Sequence, residues 1–168
     1  YMQHFNVEIN ETGESTLFIF DSSISGLESG DELGLFDTDG IIDSDGNSGE
    51  VLVGAGTWGD GSQIEITAIH AVDLSEFSGP ILPGAFEGNT VSMKVWDIET
   101  MVESNVTYTT TSGSGSFNGL FTAISEIEFC EVPEGTCDCD GTLPIECWDG
   151  STTCNNDCPL YFNVDISE

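Results

Sequence analysis

The sequence predicts an all-β protein: a two-sheet β-sandwich of the jelly-roll kind, followed by a small disulfide-rich segment and a C-terminal strand. Three observations lead to this prediction. Short apolar runs alternate with polar residues at a period of two, turns rich in Gly and Asp separate the runs, and six cysteines crowd into one stretch. Hydrophobic residues make up 38% of the chain and aromatic residues 10%, which is enough to build a core despite the acidic composition.

Eight strand-like runs occupy residues 1–129, which we interpret as one sandwich module. The alternation is clear where Ile64, Ile66 and Ala68 face one side and Glu65 and Thr67 face the other. No window of about a dozen residues shows the apolar stripe of an amphipathic helix. The predicted strands are residues 5–9, 16–20, 32–36, 51–58, 63–69, 90–97, 105–111 and 123–129.

Residues 130–159 have a different composition, with few apolar residues and no period, and we interpret them as a disulfide-rich linker. Disulfides must supply there the stability that a hydrophobic core supplies elsewhere. The sequence does not choose among the many pairings, although a bridge between Cys137 and Cys139 would be strained. Cysteines at this density are typical of an oxidising, extracellular compartment. The candidates are Cys130, Cys137, Cys139, Cys147, Cys154 and Cys158.

The charge of the chain excludes several classes of partner. There are 31 acidic residues and a single basic one, Lys94, and the formal net charge is −30. Nucleic acid and anionic membrane surfaces are unsuited as partners because both attract Lys and Arg. No apolar run approaches the roughly 20 residues of a membrane span, so we expect no membrane insertion. We expect Lys94 to form an ion pair or to pack its stem on Trp96.

The end of the chain repeats its beginning. Residues 4–11 read HFNVEINE and residues 161–168 read YFNVDISE, a spacing of one whole domain. Solenoid repeats have a shorter period of roughly 20–50 residues. We therefore expect residues 160–168 to form a strand that pairs with, or begins, the next module. The chain also begins without the basic and apolar regions of a signal peptide, so we expect a processed form or part of a longer precursor.

The repeat predicts a self-assembly joint in which the tail strand fits the place of the first strand. A head-to-tail contact of this kind gives a homopolymeric filament unless it closes into a ring. The units are either separate protomers that exchange a strand or tandem modules of one polypeptide, and the sequence leaves both open. In the joint, Phe162, Val164 and Ile166 stand in for Phe5, Val7 and Ile9.

Several short motifs follow one another along the module: GDELGLFD at 30–37, VGA at 53–55, ITAIH at 66–70, AFEG at 85–88 and MKVWD at 93–97. Together they resemble a module of secreted, multidomain surface proteins of Bacteroidota-like bacteria. Leu52 departs from the Cys that many such modules carry, and His70 departs from their Gly. The cysteine-rich segment is similar to the linkers of the same proteins. The resemblance implies an extracellular structural or adhesive building block and no enzyme.

The acidic loop at residues 37–50 is the strongest metal-ligating candidate. Calcium takes roughly six to eight oxygen ligands, and sequences such as D-x-D-G-N supply them from alternate residues. The loop departs from an EF-hand, so we expect a hairpin-loop site for Ca²⁺, with a solvated acidic turn as the alternative. The candidate ligands are Asp37, Asp39, Asp43, Asp45, Asn47 and Glu50.

No catalytic constellation stands out, since His70 has no nucleophile elbow to serve. Asn10 and Asn105 begin glycosylation sequons in what are otherwise plain polar segments. We therefore expect an extracellular, filament-forming structural protein without catalytic activity. The alternative is a calcium-dependent carbohydrate-binding surface adhesin, in which an exposed tryptophan stacks on a glycan.

Overall fold

The computed structural model describes residues 3–59, 61–130, 134–137, 142–154 and 158. The chain divides into two compact units, Tyr1–Phe129 and Cys130–Glu168. Within the described residues, the regular structure is β-strand apart from a single 3-10 turn at Ser75–Phe77. The predicted all-β class is therefore confirmed.

The strands of the first unit match seven of the eight predicted runs. The prediction of a strand at residues 5–9 is wrong, because these residues form an irregular segment outside the sheet. The strands are β1 (Ser15–Phe20), β2 (Glu32–Ile41), β3 (Ser48–Thr57), β4 (Ile64–Ile69), β5 (Val72–Asp73), β6 (Ile81–Leu82), β7 (Ser92–Asp97), β8 (Val102–Ser112) and β9 (Phe121–Phe129).

The seven longer strands form one sheet in the order β3-β2-β7-β8-β9-β1-β4. All neighbours are antiparallel except β1 and β9, which run parallel. The sheet curls until its end strands meet, and a Cβ atom on Gly54 of β3 would stand 2.8 Å from the carbonyl oxygen of Thr67 in β4. Glycine permits this close approach of two backbones. These seven strands thus form one nearly closed sheet, and β5 and β6 pair in a separate two-stranded sheet.

The interior of the curled sheet is filled by apolar side chains from each of its seven strands. Phe18 of β1, Leu35 of β2 and Val95 of β7 are fully buried. Each side chain of this size stabilises the fold by about 1.5–3 kcal/mol when it leaves water. The outer face of β2 is buried as well, which sets this strand apart because an antiparallel sheet commonly leaves one face solvated.

The second unit contains a small hairpin among its described residues, made of β10 (Ile145–Glu146) and β11 (Thr152–Thr153). Disulfides join Cys137 to Cys154 and Cys147 to Cys158, with Cα–Cα distances of 5.3 and 5.5 Å. Cys130 is also disulfide-bonded, and Cys139 lies outside the described residues. These disulfides indicate an oxidising, non-cytoplasmic environment.

The part of the chain that the structure describes includes no helix long and apolar enough to cross a membrane.

A buried polar pair in the first unit fixes the loop that precedes β9. The Oγ1 atom of Thr16 lies 2.7 Å from Nε2 of His70, and it accepts N–H bonds from Asn118 at 3.0 Å and Gly119 at 2.9 Å. Both lone pairs of the hydroxyl are then used, so its own proton is donated to Nε2 of His70. This nitrogen is therefore unprotonated. Burial lowers the pKa of His70 against the opposing effect of nearby carboxylates.

We expect the free energy of unfolding to fall as the pH is lowered through about 6.5, the pKa of His70 in the unfolded chain. The unfolded chain takes up a proton there while the folded chain, whose pKa is lowered, does not. The free energy of unfolding continues to fall, by no more than about 1.4 kcal/mol per pH unit, until the pH reaches the lowered pKa of His70 in the folded chain. Urea titrations between about pH 7.5 and about pH 5.5 measure it.

The control is His70→Gln, whose side-chain oxygen accepts the Thr16 proton and does not titrate. All other titratable groups are the same in the two chains, so the comparison isolates His70. Equal pH dependence in the two chains would contradict the assignment.

Candidate functional site

The N-terminal segment (residues 4–11) takes no part in the sheet. Its first two residues, His4 and Phe5, lie against the outer face of β2 and β7. The side chains of the segment nevertheless alternate: Phe5 is buried, Val7 and Ile9 are half-buried, and the residues between them are exposed. Ile9 also packs against the main core. Of the six predicted self-assembly residues, these three are therefore the buried or half-buried side chains of the segment. Phe162, Val164 and Ile166 lie outside the described residues.

Strand register assembles the surface beneath this segment. Glu32 of β2 is opposite Trp96 of β7, which is opposite Glu103 of β8, and Gly34 is opposite Lys94. Adjacent strands are about 4.8 Å apart, so these residues adjoin one another on the outer face. We call this surface the docking face, and it consists of Glu32, Gly34, Phe36, Lys94, Trp96 and Glu103.

Phe5 is the apolar anchor of the N-terminal segment. Only 3% of it is exposed, and its ring meets the ring of Phe36 edge-on at a centroid distance of 5.7 Å. Neither ring belongs to the main core cluster, so the two form a separate apolar contact on the outside of the sheet. Gly34 makes room for them, because a Cβ atom at this position would come within 3.0 Å of the Phe5 ring.

The carboxylate of Glu32 holds the main chain of the segment. The backbone N–H of His4 lies 3.0 Å from both carboxylate oxygens, and the N–H of Phe5 donates to Oε2 at 2.8 Å. Glu32 is fully buried, and a buried carboxylate is costly unless such donors satisfy it. Hydrogen bonds to a charged group contribute about 1.5–3 kcal/mol each.

The imidazole of His4 stacks on Trp96, with ring centroids 3.8 Å apart and planes 6° from parallel. Its Nε2 atom lies 2.9 Å from Oε2 of Glu103. The ammonium of Lys94 is 3.2 Å from Glu50 and 3.4 Å from Glu103, and 4.4 Å from the centre of the Phe36 ring. The ion pair predicted for Lys94 is thus present. The single Lys or Arg of the chain lies within the docking face.

These contacts act on the acidity of Glu103. Burial on its own would raise the pKa of this carboxyl group, but the hydrogen bond with His4 and the charge of Lys94 outweigh that effect. The pKa is therefore lowered, and Glu103 stays an anion opposite the N-terminal segment. Sequence reasoning did not single out Glu32 or Glu103, because only the pairing of β2, β7 and β8 brings them together.

Asp37, the first of the predicted calcium ligands, is engaged as a hydrogen-bond acceptor. It is 1% exposed and accepts the N–H of Phe86 at 2.8 Å, the N–H of Asp39 at 3.0 Å and the side-chain amide of Asn89 at 2.9 Å. These bonds attach the loop at residues 84–89 to the end of β2. Asp37 therefore has a structural function in the described fold.

The side chains of the other predicted ligands do not gather around Asp37. Asp43 accepts N–H bonds from Asp45 and Asn47 within the hairpin turn, and the hydrogen bonds from Asn47 lower its pKa. Glu50 pairs with Lys94, and the side chain of Asp39 is exposed. Among the described residues, no three His, Cys, Asp or Glu side chains group closely enough to hold a metal ion. Calcium binding by this loop stays a prediction.

The remaining candidates lie on the surface or in the core. Asn10 and Asn105 are both exposed, as a glycosylated asparagine must be. Trp58 is buried and Trp96 lies half-buried beneath His4, while Trp148 of the second unit is 59% exposed.

No family model matches the sequence, and neither a curated protein nor a solved structure matches it. The resemblance to modules of bacterial surface proteins stays a prediction.

We expect Phe5→Ala to destabilise the first unit by about 3 kcal/mol, because it removes a buried ring and leaves a cavity above Gly34. Asn6→Ala is the matched control: this neighbouring side chain is exposed, and its loss should change the free energy of unfolding by less than about 0.5 kcal/mol. Urea denaturation measures both. Equal stability of the two variants would mean that the N-terminal segment contributes nothing to the fold.

Proposed function

We propose that the chain is an extracellular structural unit that is joined head to tail with further units, in which the tail segment (residues 161–168) of one unit covers the docking face of the next. The observation that supports this most directly is the match between the contacts of the N-terminal segment and the residues of the tail. Phe162 repeats Phe5, the apolar anchor, and Tyr161 retains a ring for stacking on Trp96.

The main-chain contacts support the same proposal. Glu32 accepts hydrogen bonds from backbone N–H groups, which every residue except proline carries, so replacing His4 by Tyr161 preserves them. Val164 and Ile166 repeat the half-buried Val7 and Ile9. One buried and two half-buried apolar side chains contribute roughly 3–6 kcal/mol before the cost of ordering the segment.

The difference between the effective concentration of a tethered segment and the concentration of a separate chain favours tandem modules of one polypeptide over strand exchange. The docking face is covered by the unit's own N-terminal segment, and a segment on a short linker has an effective concentration in the millimolar range. A tail from a second chain at micromolar concentration is at a disadvantage of roughly a thousandfold, or about 4 kcal/mol. In a tandem chain the tail of one module is the covering segment of the next, so nothing has to be displaced.

A longer polypeptide tests the proposal: residues 1–168 followed directly by residues 12–160, so that the tail segment occurs only once. Its second repeat has only the tail of the first repeat to cover its docking face. We expect the second repeat to fold, and we expect Phe162→Ala to lower its free energy of unfolding by about 3 kcal/mol, because a buried ring is lost. Urea denaturation and scanning calorimetry each resolve the unfolding transitions of the two repeats.

Asn163→Ala is the matched control, since Asn163 occupies the place of the exposed Asn6. A second repeat that stays unfolded would contradict the proposal. So would a second repeat whose stability is indifferent to Phe162→Ala.

A surface adhesin is the second candidate, and the exposure of Trp148 favours it. An indole that is 59% exposed offers a flat apolar surface on which a sugar ring can stack. On this proposal, a glycan array gives binding that Trp148→Ala abolishes and that EDTA weakens if calcium takes part. Binding that persists in Trp148→Ala would exclude this residue as the stacking surface.

A further inference from the structure

A groove runs between the N-terminal segment and the edge strand β3. Its volume is about 520 Å³, within the range of roughly 300–1,000 Å³ that is typical of ligand sites. The apolar part of its lining comes from Ile9, Ile42, Val51, Leu52, Leu82 and Pro83. Ile42 is 44% exposed, so part of this apolar surface is in contact with water.

Both walls of the groove carry unpaired main chain. On one side, β3 is the first strand of the sheet, and over residues 48–52 its outer edge is bonded to no other described residue. On the other side, the backbone groups of residues 6–11 form no hydrogen bond within the described part of the chain. Backbone N–H and C=O groups that have no partner among the described residues are what an added strand can bond to.

The acidic side chains that line the groove determine the charge of the partner that it attracts. Glu8, Glu11 and Glu50 line it, and only Glu50 has a cation partner among the described residues. A second copy of this chain, with a net charge of −30, is repelled, and its tail segment brings Asp165 and Glu168. A peptide that carries Lys or Arg is attracted.

We propose that this groove is a binding site for an extended basic peptide of a partner protein. The peptide alternates apolar and basic residues. Its main chain adds to β3 and the N-terminal segment, its apolar side chains contact Val51 and Leu82, and its basic side chains reach Glu8 and Glu11. The period of two in an extended chain sends the two kinds of side chain to opposite sides, as the groove requires.

The test uses the full chain and peptides of about seven residues. The probe peptide alternates lysine and valine. Three companion peptides each lack one feature: glutamate replaces lysine in the first, serine replaces valine in the second, and the backbone amides of the third are N-methylated. We expect the probe to bind and each companion to bind at least about tenfold more weakly. Calorimetry measures affinity, and amide chemical shifts of residues 6–12 and 48–52 report the position of the peptide.

Because any basic peptide is attracted to so acidic a protein, a matched pair of variants is essential. Glu8→Gln with Glu11→Gln should weaken binding about fivefold, since two screened ion pairs at about 0.5 kcal/mol each are lost. Glu126→Gln with Glu128→Gln removes the same charge from exposed positions on β9 and should change the affinity by less than about twofold.

If both pairs of substitutions weakened binding equally, the binding would be non-specific electrostatic attraction, and the proposal would be overturned. Unchanged binding of the N-methylated peptide would also overturn it, because no strand is then added. Tighter binding of the peptide YFNVDISE than of the lysine–valine peptide would assign the groove to a second copy of the chain instead.

Discussion

Buried carboxylates in this chain must be stabilised almost without cations, because one Lys or Arg is available for 31 acidic residues. The structure meets this constraint with N–H donors. Asp31 accepts from Glu28 and Ile98, Asp37 from the loop at residues 84–89, and Glu32 from the N-terminal segment. Each buried acid thereby attaches a loop or segment to β2 or to Asp31, the residue that precedes it. The acidic composition, which on its own opposes compaction, is thus used to hold the irregular parts of the fold in place.

The docking face follows from the same constraint. Glu32 faces outward on β2, and it can remain buried only if something covers it and donates hydrogen bonds to it. The N-terminal segment does both, with Phe5 closing over Gly34 and His4 lying on Trp96. The segment is therefore part of the fold even though it belongs to no sheet. A unit whose cover comes from a neighbouring module would depend on that neighbour for its own stability, which couples folding to assembly.

The strands could be predicted from the sequence because alternation directly reports which side of a strand is buried. Residues 5–9 show the limit of that signal: their side chains alternate in burial, yet they pair with no strand, since alternation does not report hydrogen-bond partners. The loop at residues 37–50 shows another limit. The oxygens of Asp37 suit calcium and N–H donors equally, and only the tertiary structure brings Phe86 and Asn89 to them. The docking face depends on register between distant strands, which no local pattern encodes.

The mass of the denatured polypeptide in its native source tests the central claim most directly. Head-to-tail units of one tandem chain predict a single polypeptide several times heavier than the 17.9 kDa of these 168 residues. Mass spectrometry under reducing, denaturing conditions measures it, and peptides that span YFNVDISE into a further repeat would identify the joint. A 17.9 kDa polypeptide that remains monomeric at high concentration would contradict the account.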